Sequence, residues 1–265
     1  MSELSRQLWR LSTPVVTVVA LLAIWQLFVV ALAVPTWLLP APSAIWIEFV
    51  KESHLLGRHI LTTGIGAAAG LALGAVCGLV LAVLMVKSKI LGRILMPLLV
   101  IDQSIPKMAL APIFVIWFGT GMMTRIVIAM VISFFPVVVN AIRGMTAVDR
   151  RVNDLMTTIS ASRWDILTKV QLPNAVPYIF TGLKVAVPLS IIGAVIAEFM
   201  QSDSGLGYVV LVAVGNVNTP MVFVSVLLMA LLSLGLFVLV SLGEWILMRR
   251  RFTYLTDETQ MVQRG

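Results

Sequence analysis

The chain is 265 residues long, 60% apolar and only 12% charged, with a mean hydropathy of +1.03. A soluble domain is about 45–50% apolar and about 25% charged, so this chain cannot coat a soluble surface, which excludes an ordinary cytosolic enzyme, a disordered chain and a disulfide scaffold. Its 19 basic against 12 acidic residues, a formal +7, would suggest nucleic acid in a soluble chain, but in one this apolar they point to membrane topology.

A membrane helix needs about 20 mostly apolar residues to cross a core of ~30 Å. Six stretches qualify, 14–34, 60–86, 94–118, 125–142, 177–200 and 221–247. Continuous runs argue against a barrel, whose strands alternate. The first follows Arg6 and Arg10 and ends in Ala31-Leu32-Ala33, which mimics a signal-peptide cleavage site. Its apolar run exceeds the usual 7–15-residue signal core, so it reads as a retained span.

The connector after it opens with Pro35, Pro40 and Pro42, which end the first helix. Ser43 can then cap a short interfacial helix carrying Ala44, Ile45, Ile47 and Phe49, with Trp37 and Trp46 as aromatic anchors. His54 and His59 read as interface residues. In the second span Gly66, Gly70, Gly74 and Gly78 fall on one helix face and let a neighbouring backbone approach closely. Cys77, the single cysteine, excludes an internal disulfide and any cysteine-based zinc spacing, and reads as a packing residue.

The third span holds Asp102, Gln103 and Lys107, and the fifth holds Glu198 near its outer end. Polar groups within spans are functional candidates by default, so these four are the candidates for lining a path. Asp102 and Lys107 are five apart, which offsets them around a helix and makes them poor partners. Lys107 would instead pair with Glu198 or with Asp102 of a second copy, or line the path. Pro97, Pro106 and Pro112 make this helix irregular. Lys184, near the inner end of the fifth span, would snorkel to the interface.

The polar connectors set orientation. With the N-terminus inside, 14 basic residues lie inside, and Lys51, Arg58 and Arg125 lie outside. That asymmetry places both termini in the cytoplasm. The expected organisation is a cytoplasmic N-terminus over 1–13, a six-span domain over 14–248 and a cytoplasmic tail over 249–265.

One inward connector is long, 143–176. Val152, Leu155, Met156 and Ile159 recur at helical spacing, as do Trp164, Leu167 and Val170, with a break and new cap at Ser160–Ser162. The spacing predicts two short amphipathic helices, the second ending before Pro173. They could lie on lipid or form a docking surface for a cytoplasmic protein.

This loop resembles the EAA loop of ABC importer permeases, the binding-protein-dependent transport inner-membrane family. Asp154 stands at the Glu of that pattern, Leu155 and Met156 at its two alanines, and Ser160 at its glycine. Ala161-Ser162-Arg163-Trp164 and the closing Leu172-Pro173 match as they stand. Leu39-Pro40-Ala41-Pro42-Ser43, Ile105-Pro106-Lys107-Met108-Ala109-Leu110-Ala111-Pro112, Trp117-Phe118-Gly119, Ala197-Glu198 and Gly205-Leu206-Gly207-Tyr208 are similar to further segments of the family. Together they resemble the subgroup importing nitrate, taurine, alkanesulfonates, aromatic acids and thiamine-type pyrimidines.

The resemblance implies an all-α polytopic fold of the type I importer permease. It implies a transport subunit of a bacterial inner membrane for a small anionic or heterocyclic solute, working by alternating access with no catalytic, cofactor or metal residues of its own. Its implied partners are a second copy, two ABC ATPase subunits carrying ATP and Mg, and a periplasmic or lipid-anchored substrate-binding protein. Asp154, Leu155, Met156, Ser160, Ala161, Arg163, Trp164, Leu172 and Pro173 would then couple the ATPases to the spans. The chain contains no Gly-Lys dipeptide and so no P-loop. A gradient-driven secondary transporter is the alternative; it would need inverted repeats, which are not visible.

Overall fold

The computed structural model describes residues 3–200 and 203–262, with side chains over 16–152, 154–200 and 203–249. Ten α-helices follow in order: α1 (Glu3–Ala31), α2 (Pro42–Lys87), α3 (Lys89–Ser104), α4 (Lys107–Phe118), α5 (Met122–Thr146), α6 (Arg150–Thr158), α7 (Arg163–Ile166), α8 (Leu172–Phe199), α9 (Leu206–Gly215) and α10 (Thr219–Val262). A π turn, Leu167–Gln171, joins α7 to α8. There is no strand among the described residues. The helical backbones of α1 and α10 run into the expected terminal segments 1–13 and 249–265, and the side chains of Arg6, Arg10, Arg250, Arg251 and Arg264 lie outside the described residues.

Among the described residues four continuous helical stretches are long and apolar enough to cross a membrane: Pro42–Lys87, Met122–Thr146, Arg163–Phe199 and Thr219–Arg249. The apolar part of α1 with described side chains is the shorter Val16–Ala31. The expected third span departs from the sequence reading. It is a pair, α3 and α4, bent by 97°. The reason is local: Ile105 and Pro106 are both extended, and Pro106 has no N–H to continue the helical ladder.

The expected interfacial helix is also corrected. It is continuous with the second span, giving one 46-residue helix. Pro42 enters at the helix start, where its missing N–H is harmless. Ser43 does not cap its own helix. Its N–H and hydroxyl bond the Gln26 side chain of α1 at 3.1 Å each, tying the first two helices together.

Helices α2, α5 and α8 form the core. The glycine face of α2 lies directly on α5: a Cβ at Gly74 would sit 2.8 Å from the Ser133 hydroxyl, and one at Gly78 3.0 Å from the Phe134 carbonyl. Helix α8 packs on a neighbouring face of α5, where a Cβ at Gly182 would lie 2.8 Å from the Pro136 carbonyl. Small residues thus replace interdigitated side chains as the packing device. Cys77, on the same helix, is exposed, so it points away from this packing. Gly70→Ala should destabilise the fold by about 1–3 kcal/mol, because its Cβ would overlap that of Ala129 and approach the Ile126 carbonyl to 2.8 Å. Gly57→Ala, with nothing within 4 Å, should raise stability by up to about 1 kcal/mol through helix propensity. Thermal unfolding of the purified variants checks the opposite signs.

Candidate functional site

Three polar constructions stand out, one at the loop 143–176, one at the α3–α4 break and one at the opposite end of the core. The loop is shaped by local chemistry. Asp149 caps α6 by accepting from the Arg151 N–H at 2.9 Å. At the far end Ser160 takes φ +55. Its N–H bonds the Thr157 carbonyl at 3.0 Å, and the Ala161 N–H bonds the Met156 carbonyl at 2.9 Å. This is a Schellman termination, whose left-handed residue is usually glycine; it explains physically why the EAA pattern has glycine where this chain has Ser160. Ser162 then caps α7, accepting from the Asp165 N–H at 3.1 Å. The second loop helix was expected to end before Pro173, but it runs on into α8. Pro173 cannot donate to the carbonyl four residues back, and the helix passes through the π turn, where the Leu172 N–H reaches the Leu167 carbonyl. Leu167 is buried.

The coupling candidates separate by environment. Asp154, Leu155, Ser160, Arg163 and Trp164 are exposed, Met156 and Ala161 are intermediate, and Leu172 and Pro173 are half-buried in the helix that enters the core. Leu155, Ile159 and Trp164 leave 60%, 63% and 58% of their surface open, an unusual amount for large apolar groups on so polar a loop. Lys87, at the end of α2, lies 4.5 Å over the Trp164 ring, which fixes this loop to the end of the second span.

At the α3–α4 break the sequence expectation for Asp102 and Lys107 is overturned. Lys107 Nζ lies 2.7 Å from Asp102 Oδ2. The bend brings together two groups that a straight helix would set apart. Gln103 donates to the same carboxylate oxygen at 3.2 Å, and Lys107 also reaches the Val131 carbonyl of α5 at 3.4 Å. Gln103 is exposed, whereas Lys107 and Asp102 are partly buried. Within this chain Lys107 is paired with Asp102 and not with Glu198.

Glu198 is fully buried and faces α2 and α5. Thr63 of α2 donates to its two oxygens at 2.8 and 3.1 Å, the Gly207 N–H donates at 2.7 Å, and Arg125 Nε lies 3.7 Å away. Thr63 in turn accepts from the Leu206 N–H at 2.8 Å. Arg125 Nη2 donates to the Ser204 carbonyl at 3.0 Å, and His59 Nδ1 accepts from the Gly205 N–H at 3.0 Å. The segment Asp203–Gly207 is therefore clamped by α2, α5 and α8 together. Gly205 takes φ +106 and packs against the Glu198 carboxylate so closely that a Cβ would overlap it.

Arg125, read from sequence as an outer connector residue, is buried in the first turn of α5. Thr63 carried no sequence signal of its own, and His59, which reads from sequence as an interface residue, instead accepts from the Gly205 N–H. A lone arginine opening an apolar run could have found its partner, since an acid in another span is the natural neutraliser. Lys184 likewise is ion-paired, with Glu244 of α10, and does not snorkel free.

Comparison with known proteins agrees with this architecture. Residues 70–251 match the family described as binding-protein-dependent transport system inner membrane component. A "probable ABC transporter permease protein" of Haemophilus influenzae is 35% identical, covering 91% of this chain and 97% of the relative. The formylaminopyrimidine transport permease protein of Halalkalibacterium halodurans is 33% identical, covering 83% and 88%. Other similar chains bear the names of riboflavin, aliphatic sulfonate and nitrate permeases. The fold matches the crystal structure of an amino acid ABC transporter with histidines, at a TM-score of 0.59 and 16% identity, covering 77% of this chain and 97% of that one. The chain belongs to the family of binding-protein-dependent inner membrane components: it is a multi-pass permease subunit of an ABC import system.

Proposed function

We propose that this permease forms the path for a small anionic or heterocyclic solute, delivered by a periplasmic or lipid-anchored binding protein and moved by alternating access. Two ATPase subunits, carrying ATP and Mg, would engage Asp154, Leu155 and the Ser160–Trp164 segment from the cytoplasm, where both termini would also lie. The exposed apolar surfaces of α3 and α4, including Ile101, Met108 and Ile116, suit a second copy of the chain.

The observation that carries this reading is the continuous helical stretch Arg163–Phe199. It starts at the exposed loop and ends at the Glu198 clamp, so a push on the loop is transmitted as a rigid-body movement rather than absorbed. A partner can shift such an equilibrium only through its different affinity for the two states. Gln103 and Lys107 would line the path. Lys107 would exchange Asp102 for an anionic solute, which favours nitrate- or sulfonate-like cargo. The names of the relatives support the same range of small solutes.

Reconstitution with the partner ATPases and binding protein tests this. Uptake should need ATP and ignore ionophores. Lys107→Gln should raise the KM for an anionic cargo about tenfold, the loss of one charge-assisted contact, with basal ATPase unchanged. Uptake driven by an ion gradient without ATP would refute the reading in favour of a secondary transporter.

A further inference from the structure

A cleft of about 960 Å³ opens between the end of α2, the start of α3 and α7, with Lys87, Lys89, Arg163 and Gln171 in its wall. We propose that it is a binding site for the phosphate headgroup of an anionic phospholipid in the leaflet on the loop side.

The charges argue for an anion. Three cations line the cleft and no acidic residue does. Among the described residues none of the three makes a salt bridge, whereas the nearby Asp165 is already held by Lys169 at 2.6 Å. Lys87 is oriented by the Trp164 ring, which keeps it at the cleft instead of extended into water.

Position argues for lipid as the source of that anion. Lys87 and Lys89 flank Ser88, the break that ends the long apolar helix α2, so the cations sit where a span leaves the bilayer. Apolar surface continues from the cleft along both helices. Val86 and Ile90 are in its wall, and Leu84 and Ile94 are exposed beyond it. A charged seat with an apolar track leading toward the bilayer fits a molecule with a headgroup and acyl chains; a soluble anion would use only the seat. Basic pockets between spans on the cytoplasmic side hold anionic headgroups on this principle. The exposed candidates for ATPase contact on α6, Asp154 and Leu155, are not in the wall; Arg163 is, so the cleft adjoins that surface, and Lys89, outside the loop, is the residue that tests the lipid site by itself.

The test is native mass spectrometry of the full-length permease released from micelles doped equally with dioleoyl-phosphatidylglycerol and dioleoyl-phosphatidylcholine. Phosphatidylglycerol should be retained preferentially. Lys89→Gln should cut that preference about fivefold, and the triple variant Lys87→Gln/Lys89→Gln/Arg163→Gln should remove it. Lys51→Gln, at the other end of α2, should leave it intact. Monodisperse elution of each variant shows that it folds, and the single variant keeps the test decisive where the triple variant does not fold. Equal retention of both lipids by the wild type, or unchanged preference in the folded variants, overturns the proposal. Displacement of the lipid by millimolar inorganic phosphate overturns it in favour of a soluble-anion site. Loss of ATPase association with lipid preference intact overturns it in favour of a protein-docking surface.

Discussion

Gly205→Ala should lower the melting temperature of the purified permease by roughly 10 °C. Two effects add. The residue sits at φ +106, where an L side chain is strained by about 1–3 kcal/mol. The new Cβ would also overlap the Glu198 carboxylate, and overpacking of this kind costs about another 1–3 kcal/mol. The carboxylate cannot step aside, because Thr63, Arg125 and the Gly207 N–H hold it from three directions. Glu198→Ala should be as damaging, since removing one partner of a buried ion pair costs about 3–5 kcal/mol, while Glu198→Gln should recover part of the loss by keeping one carbonyl acceptor for Thr63. Both Gly205→Ala and Glu198→Ala disturb the same contact, so the double variant should be clearly less than additive. Strict additivity of the two melting shifts would falsify the clamp as a single unit.

Charge reversal at Asp154 and bulk at Ser160 should separate ATP hydrolysis from uptake. Asp154 is exposed and only loosely paired, with Arg150 at 4.0 Å, so Asp154→Lys leaves the core untouched. Ser160→Trp acts differently. It places a large side chain on the left-handed residue that ends α6, a conformation already strained with Ser160, and crowds the exposed end of that helix. In the reconstituted complex each variant should lose uptake by at least tenfold and lose the ATPase stimulation caused by loaded binding protein, with melting of the permease alone shifted little for Asp154→Lys. Unchanged stimulation in both would remove these residues from the coupling role. Ser160→Gly is the informative opposite: it relieves the positive φ and should stabilise α6 with activity retained.

Much of this architecture was legible because the signals were local. Apolar runs of sufficient length mark Met122–Thr146 and Thr219–Arg249 within a few residues, and the glycine spacing of α2 anticipates its packing on α5. The Ser160–Ser162 break was readable because caps are written in adjacent residues. Three features were not readable in this way. The 97° bend between α3 and α4 depends on how two extended residues orient the next helix, and periodicity carries no such angle; the Asp102–Lys107 pair was missed for that reason. The fusion of the outer helix to α2 was missed because Ser43 resembles a cap, while its polar groups are taken by Gln26, 17 residues earlier. The clamp joins Thr63 to Glu198 across 135 positions, a separation at which one sequence records no pairing.

The length of α2 has a further consequence. Its 46 residues span about 70 Å at ~1.5 Å per residue, more than twice a hydrocarbon core of ~30 Å. The same helix supplies Ile45 and Leu56 to one buried cluster near its beginning and Ala82 and Met85 to another near its end. Its first turns are therefore a rigid post that does not need to be ordered when another protein arrives, and the Glu48–Asn218 hydrogen bond of 2.6 Å braces that post against the start of α10. Association on a surface already held in place loses little conformational entropy, so a protein that docked at this end of the permease would be selected by shape and charge rather than by folding on contact.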